Sequence, residues 1–232
     1  QMKRRIDSLI NKNGYNGYYN YVNALKRNIE LYNEFVNYLT INVSEFYRNP
    51  EQWKVLQKDI FPMLLKRSRR LKIWSAACST GDEPYTLVMV LNEFVPLKEI
   101  KILATDIDRE AIRKAKAGVY TEKSLEKLPD LYLKKFFERQ GDIYIIKDEV
   151  KNQVDFRQHD LLRDMYPSEC DLIVCRNVLI YFTEEAKARI YNQFNNALKM
   201  NGILFVGSTE QIIMSARYSF SPFPCGYECI LY

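Results

Sequence analysis

Residues 71–86 read LKIWSAACSTGDEPYT, and their order decides the fold. An apolar run at 71–76 gives way to small side chains and Gly81; Asp82, Glu83 and Pro84 then have the composition of a helix start. A strand, a tight turn and a helix N-terminus in succession is how an open α/β sheet holds a nucleotide-like ligand. The turn lacks the G-x-G-x-x-G of dinucleotide binders, and Asp82-Glu83 would repel a pyrophosphate. Hydroxyl and cationic groups suit it better than phosphates. S-adenosylmethionine (SAM), with its ribose, amino group and sulfonium, meets that description. The same residues also fit an ordinary strand–turn–helix whose acids cap the helix.

Outward from this segment the pattern alternates. Strand 71–76 is followed by helix 83–94, strand 100–105 by helix 108–117; strands 153–158 and 171–175, helix 183–199, strand 202–207 and a last strand at 227–232 complete the series. Such alternation predicts an α/β fold with a mostly parallel, doubly wound, Rossmann-like sheet. Residues 118–151 interrupt it with a helix at 130–139 and a short strand at 143–147, a small inserted β-containing subdomain. Upstream, residues 2–40 show apolar spacing of helical type with Gly14 and Gly17 between the first two runs, which predicts a small N-terminal domain of three helices. TINVSEFYR at 40–48 is a polar connector, and Asn49-Pro50 opens another helix reaching to about Lys66. The expected division is therefore 1–48 and 49–232, with the insert at about 118–151. The opening QMKRRIDSLI has no apolar signal core and reads as the N-terminally truncated start of a piece cut from a longer protein.

Composition narrows the chemistry. Among 232 residues, the five cysteines (78, 170, 175, 225 and 229) include no C-x-x-C, and His159 is the only histidine. That argues against a metal site and for reduced thiols in a cytoplasmic protein; it also disfavours a Ser-His-Asp or Cys-His hydrolase. No run of about 18 apolar residues is present, so no membrane insertion is expected. A net charge of +5 does not suggest a nucleic-acid binder, but the charge is uneven. Lys3, Arg4, Arg5, Lys12, Lys26 and Arg27 crowd the first thirty residues against Asp7 and Glu30, and Lys66, Arg67, Arg69, Arg70 and Lys72 form a second cluster. Both are either solvated faces or guides for an acidic partner.

Three further positions carry candidate chemistry. Asp106 ends strand 100–105, 25 residues beyond Gly81, where an acid accepts hydrogen bonds from ribose hydroxyls; a helix N-cap is the alternative, one that Asp108 would serve instead. In DLIVCRNVLIYF (171–182) a buried strand ends in Arg176-Asn177 at the edge where open sheets bind ligands, and Tyr181 brings a phenol beside it or packs under the next helix. Arg48, in the connector, is either a surface charge or a bidentate holder of a carboxylate.

Together these blocks resemble the chemotaxis receptor methyltransferases, the CheR family, over nearly the whole chain. TINVSEFYR is similar to the family's T-x-N-x-[ST]-x-F-[FY]-R, and WSAACSTGDEPYT (74–86) to its cofactor loop; ATDID (104–108), CRNVLIYF (175–182) and LKMNGILFVGSTEQI (198–212) match its later motifs. The resemblance implies SAM-dependent methyl esterification of glutamate side chains on the cytoplasmic helices of chemoreceptors, with S-adenosylhomocysteine as product. It implies that Asn42, Ser44 and Arg48 border cofactor and substrate, that Glu83 meets the methionine amino group and Asp106 the ribose, and that Asp160 and Leu161 flank the adenine. Arg176 and Asn177 would lie beside the cofactor and Tyr181 near the transferring methyl. Asp160 stands where the family often has Asn, and Asp82-Glu83 where it usually has Glu-Glu. Members that dock on a receptor's C-terminal pentapeptide carry a longer glycine-containing loop in the insert; here Gln140-Gly141-Asp142 is short, which predicts a pentapeptide-independent enzyme. Lys3, Arg4 and Arg5 are the expected docking cations for acidic receptor helices, and a monomer is expected. Two competing readings share the Rossmann-like half: a SAM-dependent methyltransferase of nucleic acid or a small molecule, and a catalytically silent SAM-binding regulatory module.

Overall fold

A computed structural model of the chain describes residues 2–39, 44–208, 210, 212, 214–222 and 229–231. It separates into two compact units, Gln1–Val43 and Ser44–Tyr232, so that residues 44–48 belong with the larger unit rather than with the helices before them.

The smaller unit is three helices, α1 (Met2–Lys12), α2 (Gly17–Leu25) and α3 (Ile29–Leu39). Gly14 and Gly17 take left-handed backbone (φ 71° and 80°) and turn the chain between α1 and α2. The helices close on Leu9, Ile10 and Tyr21, with the Tyr21 ring 5.8 Å from that of Phe35 in edge contact.

The larger unit begins with α4 (Pro50–Val55), a π-helical turn at Leu56–Ile60 and α5 (Phe61–Arg67). The π turn has a local cause: the Phe61 N–H bonds the Leu56 carbonyl five residues back, and Pro62 has no N–H to continue the usual ladder. Then come β1 (Ile73–Ala76), α6 (Asp82–Leu91), β2 (Ile102–Asp106) and α7 (Arg109–Ala117). The insert follows as β3 (Val119–Thr121), α8 (Glu122–Leu125), α9 (Asp130–Phe136), β4 (Phe137–Gln140), β5 (Ile143–Ile146) and α10 (Asp148–Lys151). The chain returns to the main sheet with β6 (Val154–Gln158), β7 (Cys170–Cys175), α11 (Glu184–Ala197), β8 (Leu198–Val206), β9 (Ser221–Pro222) and β10 (Cys229–Leu231).

The main sheet runs β6-β2-β1-β7-β8-β10-β9, with β10 antiparallel to β8 and β9 antiparallel to β10, and the pairings from β6 to β8 all parallel. Strand order reverses direction between β1 and β7, the switch point at which such sheets open a crevice. Successive strand residues face opposite sides: Ile73, Ile102, Leu172, Ile203 and Phe205 pack with α4, α5 and α6, while Trp74, Ile173, Leu204 and Val206 pack with α11 through Ile190 and Phe194. Both faces are covered, which is why β1 and β7 are buried at every residue and read as continuous apolar runs. In the insert β3, β5 and β4 form a separate antiparallel sheet.

Three sequence expectations shift. The helix expected over 130–139 stops at Phe136, because Phe137 pairs with Ile146 and buries its ring against Phe46 at 5.3 Å. The helix expected to 199 stops at Ala197, and β8 starts at Leu198, four residues earlier than expected, paired with Cys170 through an irregular register. At the cofactor-type turn Gly81, not Asp82, is the N-cap of α6.

Candidate active site

The turn after β1 is built by backbone geometry. Ala77, Ser79 and Gly81 all have positive φ (90°, 48° and 92°), conformations that cost non-glycine residues energy and cluster at functional sites. Ala77 and Cys78 donate their N–H groups to the Thr105 carbonyl at 2.8 Å each, and Ser79 donates to Asp106 Oδ2 at 2.8 Å. Glycine is required at 81 on two grounds, its φ and the lack of space: a Cβ there would sit 2.9 Å from Ala115 Cβ and 3.0 Å from the Tyr120 hydroxyl. Asp82, in the first turn of α6, is buried and accepts from the Thr80 hydroxyl at 2.6 Å. Burial pushes its carboxyl pKa up, and the hydroxyls of Thr80 and Ser44 draw it back. That contact puts Ser44, a predicted site residue, beside the turn.

Asp106 ends β2 with Oδ1 accepting from the Asp108 N–H at 3.0 Å and Oδ2 from Ser79. The N-cap of α7 is Asp108, whose carboxylate accepts from Glu110 and Ala111, so Asp106 is left to face the crevice edge. Burial raises the Asp106 pKa, and the backbone N–H groups around it hold the rise in check.

Glu83 and Arg176 meet between β1 and β7. Glu83 accepts from the Ser75 hydroxyl at 2.9 Å and from Arg176 Nη1 at 3.4 Å. Burial raises the Glu83 pKa and the Arg176 charge opposes it; burial likewise lowers the Arg176 pKa against Glu83. The guanidinium also donates from Nε to Gln52 Oε1 at 3.0 Å and from Nη2 to the Arg48 carbonyl at 2.7 Å, with its plane over the Trp53 ring. Trp53 Nε1 donates to the same Arg48 carbonyl at 2.9 Å. The connector is thus clamped to the sheet edge through the backbone of Arg48, between Tyr47 and Asn49, both left-handed at φ 56° and 58°.

Beyond β7 the chain makes a tight turn. Asn177 has φ 62°, and the 3₁₀ turn Leu179–Tyr181 leaves Tyr181 61% exposed. Asp160 and Leu161 sit after β6, where Asp160 Oδ1 accepts from the Leu162 N–H at 2.8 Å and Leu161 packs on the α11 side of the core. The expected contact at Asn42 lies outside the described residues. Lys3 and Arg4 are exposed on α1, in the smaller unit.

Two residues that tie these elements together were not among those singled out from the sequence. Gln52 bridges Arg176 and the Val206 carbonyl, and Glu210 receives backbone N–H groups from the turn after β7. Gln52 had one visible signal, a polar side chain on a helix face otherwise apolar at Trp53 and Val55. Glu210 lies within the segment 198–212 that resembles a family motif, but nothing in GSTEQ alone marks its carboxylate as a holder of backbone N–H groups.

The arrangement fits SAM. Asp106 presents a carboxylate at the end of β2, Glu83 a half-buried one at the start of α6, and the Ser79 hydroxyl is buried with no partner among the described residues. Among those residues no group of His, Cys, Asp and Glu is placed to hold a metal ion, and no helix is long and apolar enough to cross a membrane. The parallel sheet with an acid at the carboxyl end of β2 fits the SAM-dependent methyltransferase class. Residues 42–226 match the family described as "CheR methyltransferase, SAM binding domain". The chain belongs to the CheR methyltransferase family. It is 44% identical over 219 residues to the chemotaxis protein methyltransferase of Listeria innocua, covering 94% of this chain and 84% of that one. The corresponding Borreliella burgdorferi protein is 33% identical over 91% of this chain and 80% of its own. The Escherichia coli protein is 34% identical, covering 90% of this chain and 74% of that one. It is thus a SAM-dependent methyltransferase of the chemotaxis type, and SAM is its cofactor.

Proposed function

We propose that the enzyme esterifies glutamate side chains on the cytoplasmic helices of chemoreceptors, using SAM and releasing S-adenosylhomocysteine. The observation that carries this reading is the fixing of the Arg48 backbone by Arg176 and Trp53, at 2.7 and 2.9 Å, beside half-buried Glu83. A guanidinium carried by a backbone held in this way is suited to a carboxylate acceptor.

SAM supplies an activated methyl: the glutamate oxygen bonds to the methyl carbon as the carbon–sulfur bond breaks, and the bond electrons neutralise the sulfonium. No proton moves. A glutamate side chain is already ionised near neutral pH, so the protein's part is positioning rather than acid–base work. In this reading Arg48 orients the acceptor carboxylate and Tyr181, at the rim, fixes its approach. Asp106 holds the ribose and Glu83 the amino group. Asp160 and Leu161 border the adenine, and Ser44 closes the connector side. Asn177 lies beside the cofactor; Arg176 acts mainly by holding Arg48 and Glu83 in place. The enzyme acts in the cytoplasm as a monomer, and receptors lacking a terminal pentapeptide are full substrates. The short turn between β4 and β5 supports that last point.

The test is incubation with radiolabelled SAM and a receptor cytoplasmic fragment. Base-labile label on the receptor is expected, lost by about two orders of magnitude in Arg48→Ala while SAM affinity changes far less. Absence of receptor label with tight SAM binding would overturn the reading.

A further inference from the structure

We propose that Glu210 is a positioning residue for methyl transfer, holding the turn that carries Asn177 and Tyr181. Its side chain is 5% exposed and lies beneath that turn. Oε2 accepts from the Asn177 N–H at 2.5 Å and from the Gly207 N–H at 3.0 Å, and Oε1 accepts from the Leu179 N–H at 2.7 Å. One carboxylate thus satisfies three backbone donors, two where β7 leaves the sheet and one at the end of β8. Charge-assisted hydrogen bonds of this kind are about twice as strong as neutral ones.

The surroundings are shaped for this side chain. A Cβ on Gly207 would stand 2.5 Å from Glu210 Oε2, 3.1 Å from the Asn177 nitrogen and 3.2 Å from its Nδ2, so any larger residue at 207 displaces the carboxylate. The Glu210 N–H closes the turn on the Gly207 carbonyl at 2.9 Å. Gln52 Nε2 donates to the Val206 carbonyl at 3.1 Å, so the end of β8 is tied to Arg176 through one side chain and to the 177–179 turn through another.

The consequence for catalysis comes from what the turn carries. Asn177 is held at φ 62°, a conformation costly for a side-chain-bearing residue. Tyr181 is two residues beyond Leu179 and is itself exposed, so the position of its ring depends on the backbone beneath it. Without Glu210 the turn relaxes from the left-handed geometry at Asn177, and the rim on which the acceptor is aligned moves with it. Glu210 touches no reacting atom; it acts through Asn177 and Leu179.

Glu210→Gln keeps the size of the side chain but turns one acceptor oxygen into a donor group facing N–H groups. The expected result is faster amide exchange at Asn177 and Leu179, tenfold or more, with the β7 amides unchanged. A fall of tenfold or more in kcat at saturating SAM and receptor should accompany it. Gly207→Ala leaves the carboxylate intact but pushes it from its seat. It should reproduce both effects, and the double variant should be no worse than either single one. Wild-type exchange at the two amides, or wild-type kcat in a folded Glu210→Gln protein, would overturn the proposal. So would exchange raised uniformly across the sheet. The kcat readout rests on the receptor-methylating reading, but the exchange readout does not. If the wild-type enzyme fails to label receptor, that reading falls and the amide test still stands.

Discussion

Arg176 and Glu83 form an ion pair in the interior of the sheet edge, Nη1 to Oε2 at 3.4 Å, with side-chain exposures of 3% and 14%. Each charge has been taken out of water, and the pair alone would not repay that cost. The remaining donors complete it: Arg176 also bonds Gln52 and the Arg48 carbonyl, and Glu83 also accepts from Ser75. These contacts form one network, and it joins α4, α6, β1, the end of β7 and the connector.

Cutting that network at its centre should unfold the protein before it merely slows it. Arg176→Met leaves Glu83 buried without its cation and strips the Arg48 carbonyl of one of its two donors. A loss of about 3 kcal/mol or more in unfolding free energy is expected, as for other broken buried pairs. Arg176→Lys keeps the charge but cannot serve Gln52, Glu83 and Arg48 at once, so it should cost less stability while still lowering methyl transfer. Denaturant midpoints measured alongside the methylation rate check both statements.

Asp106 separates ligand binding from folding. Its two carboxylate oxygens each hold one backbone N–H, from Asp108 and Ser79, and each keeps further lone pairs for an incoming hydroxyl. Asp106→Asn weakens the ribose contact and replaces one acceptor by a donor. SAM affinity measured by calorimetry should fall about tenfold or more, the range expected for a charge-assisted hydrogen bond of about 1.5–3 kcal/mol. A variant that binds SAM normally would remove Asp106 from the ribose site.

How much of this was legible in the sequence follows from the range of the forces involved. Period-2 and helical spacing report burial of one residue at a time, and they located β1, β2, β6, β7 and α11 to within a residue or two at most ends. Helix ends set by tertiary pairing were not visible: nothing local stops α9 at Phe136 except the partner strand β5 and the rings of Phe46 and Tyr120. The small strand β3 was missed for the same reason, since VYT gains its partners only from β5. Asp106 and Glu83 were singled out because each stands at a strand end or helix start that local sequence marks. Gln52 and Glu210 were not, because their partners lie 124 and 33 residues away in the chain.

Glu83 also predicts a pH dependence, with a definite sign. Its pKa in the folded protein is raised above the ordinary 4.5, by burial first, with Arg176 opposing. A cationic amino group needs the ionised carboxylate, so SAM affinity should weaken as pH falls from neutral toward that raised value. Stability of the ligand-free protein moves the other way. In the window between 4.5 and the raised value the folded state binds more protons than the unfolded state, so the Glu83 contribution to stability declines as pH rises. In Glu83→Gln both slopes should flatten relative to the wild type. Calorimetric SAM titrations and melting curves across this range measure them, and a wild-type SAM affinity independent of pH would remove Glu83 as the amino-group partner.

The proposed docking cations call for a different measurement, because they lie on α1 in the smaller unit, whereas Asp106 and Glu83 belong to the larger. Lys3 and Arg4 are exposed, and only Asp7 offsets the three successive positive residues at 3–5 within that helix. Exposed charges of one sign steer an oppositely charged partner, and salt screens them over about 8–10 Å at physiological ionic strength. Neutralising Lys3, Arg4 and Arg5 together should therefore raise the receptor KM about threefold to tenfold at low salt. The difference from the wild type should shrink as salt is added, because the lost interaction is the one that salt already screens. SAM affinity should be unchanged at every salt concentration, since neither Asp106 nor Glu83 is touched. If receptor methylation is the same in both proteins at low salt, the cluster is a solvated helix face and docking rests on other residues.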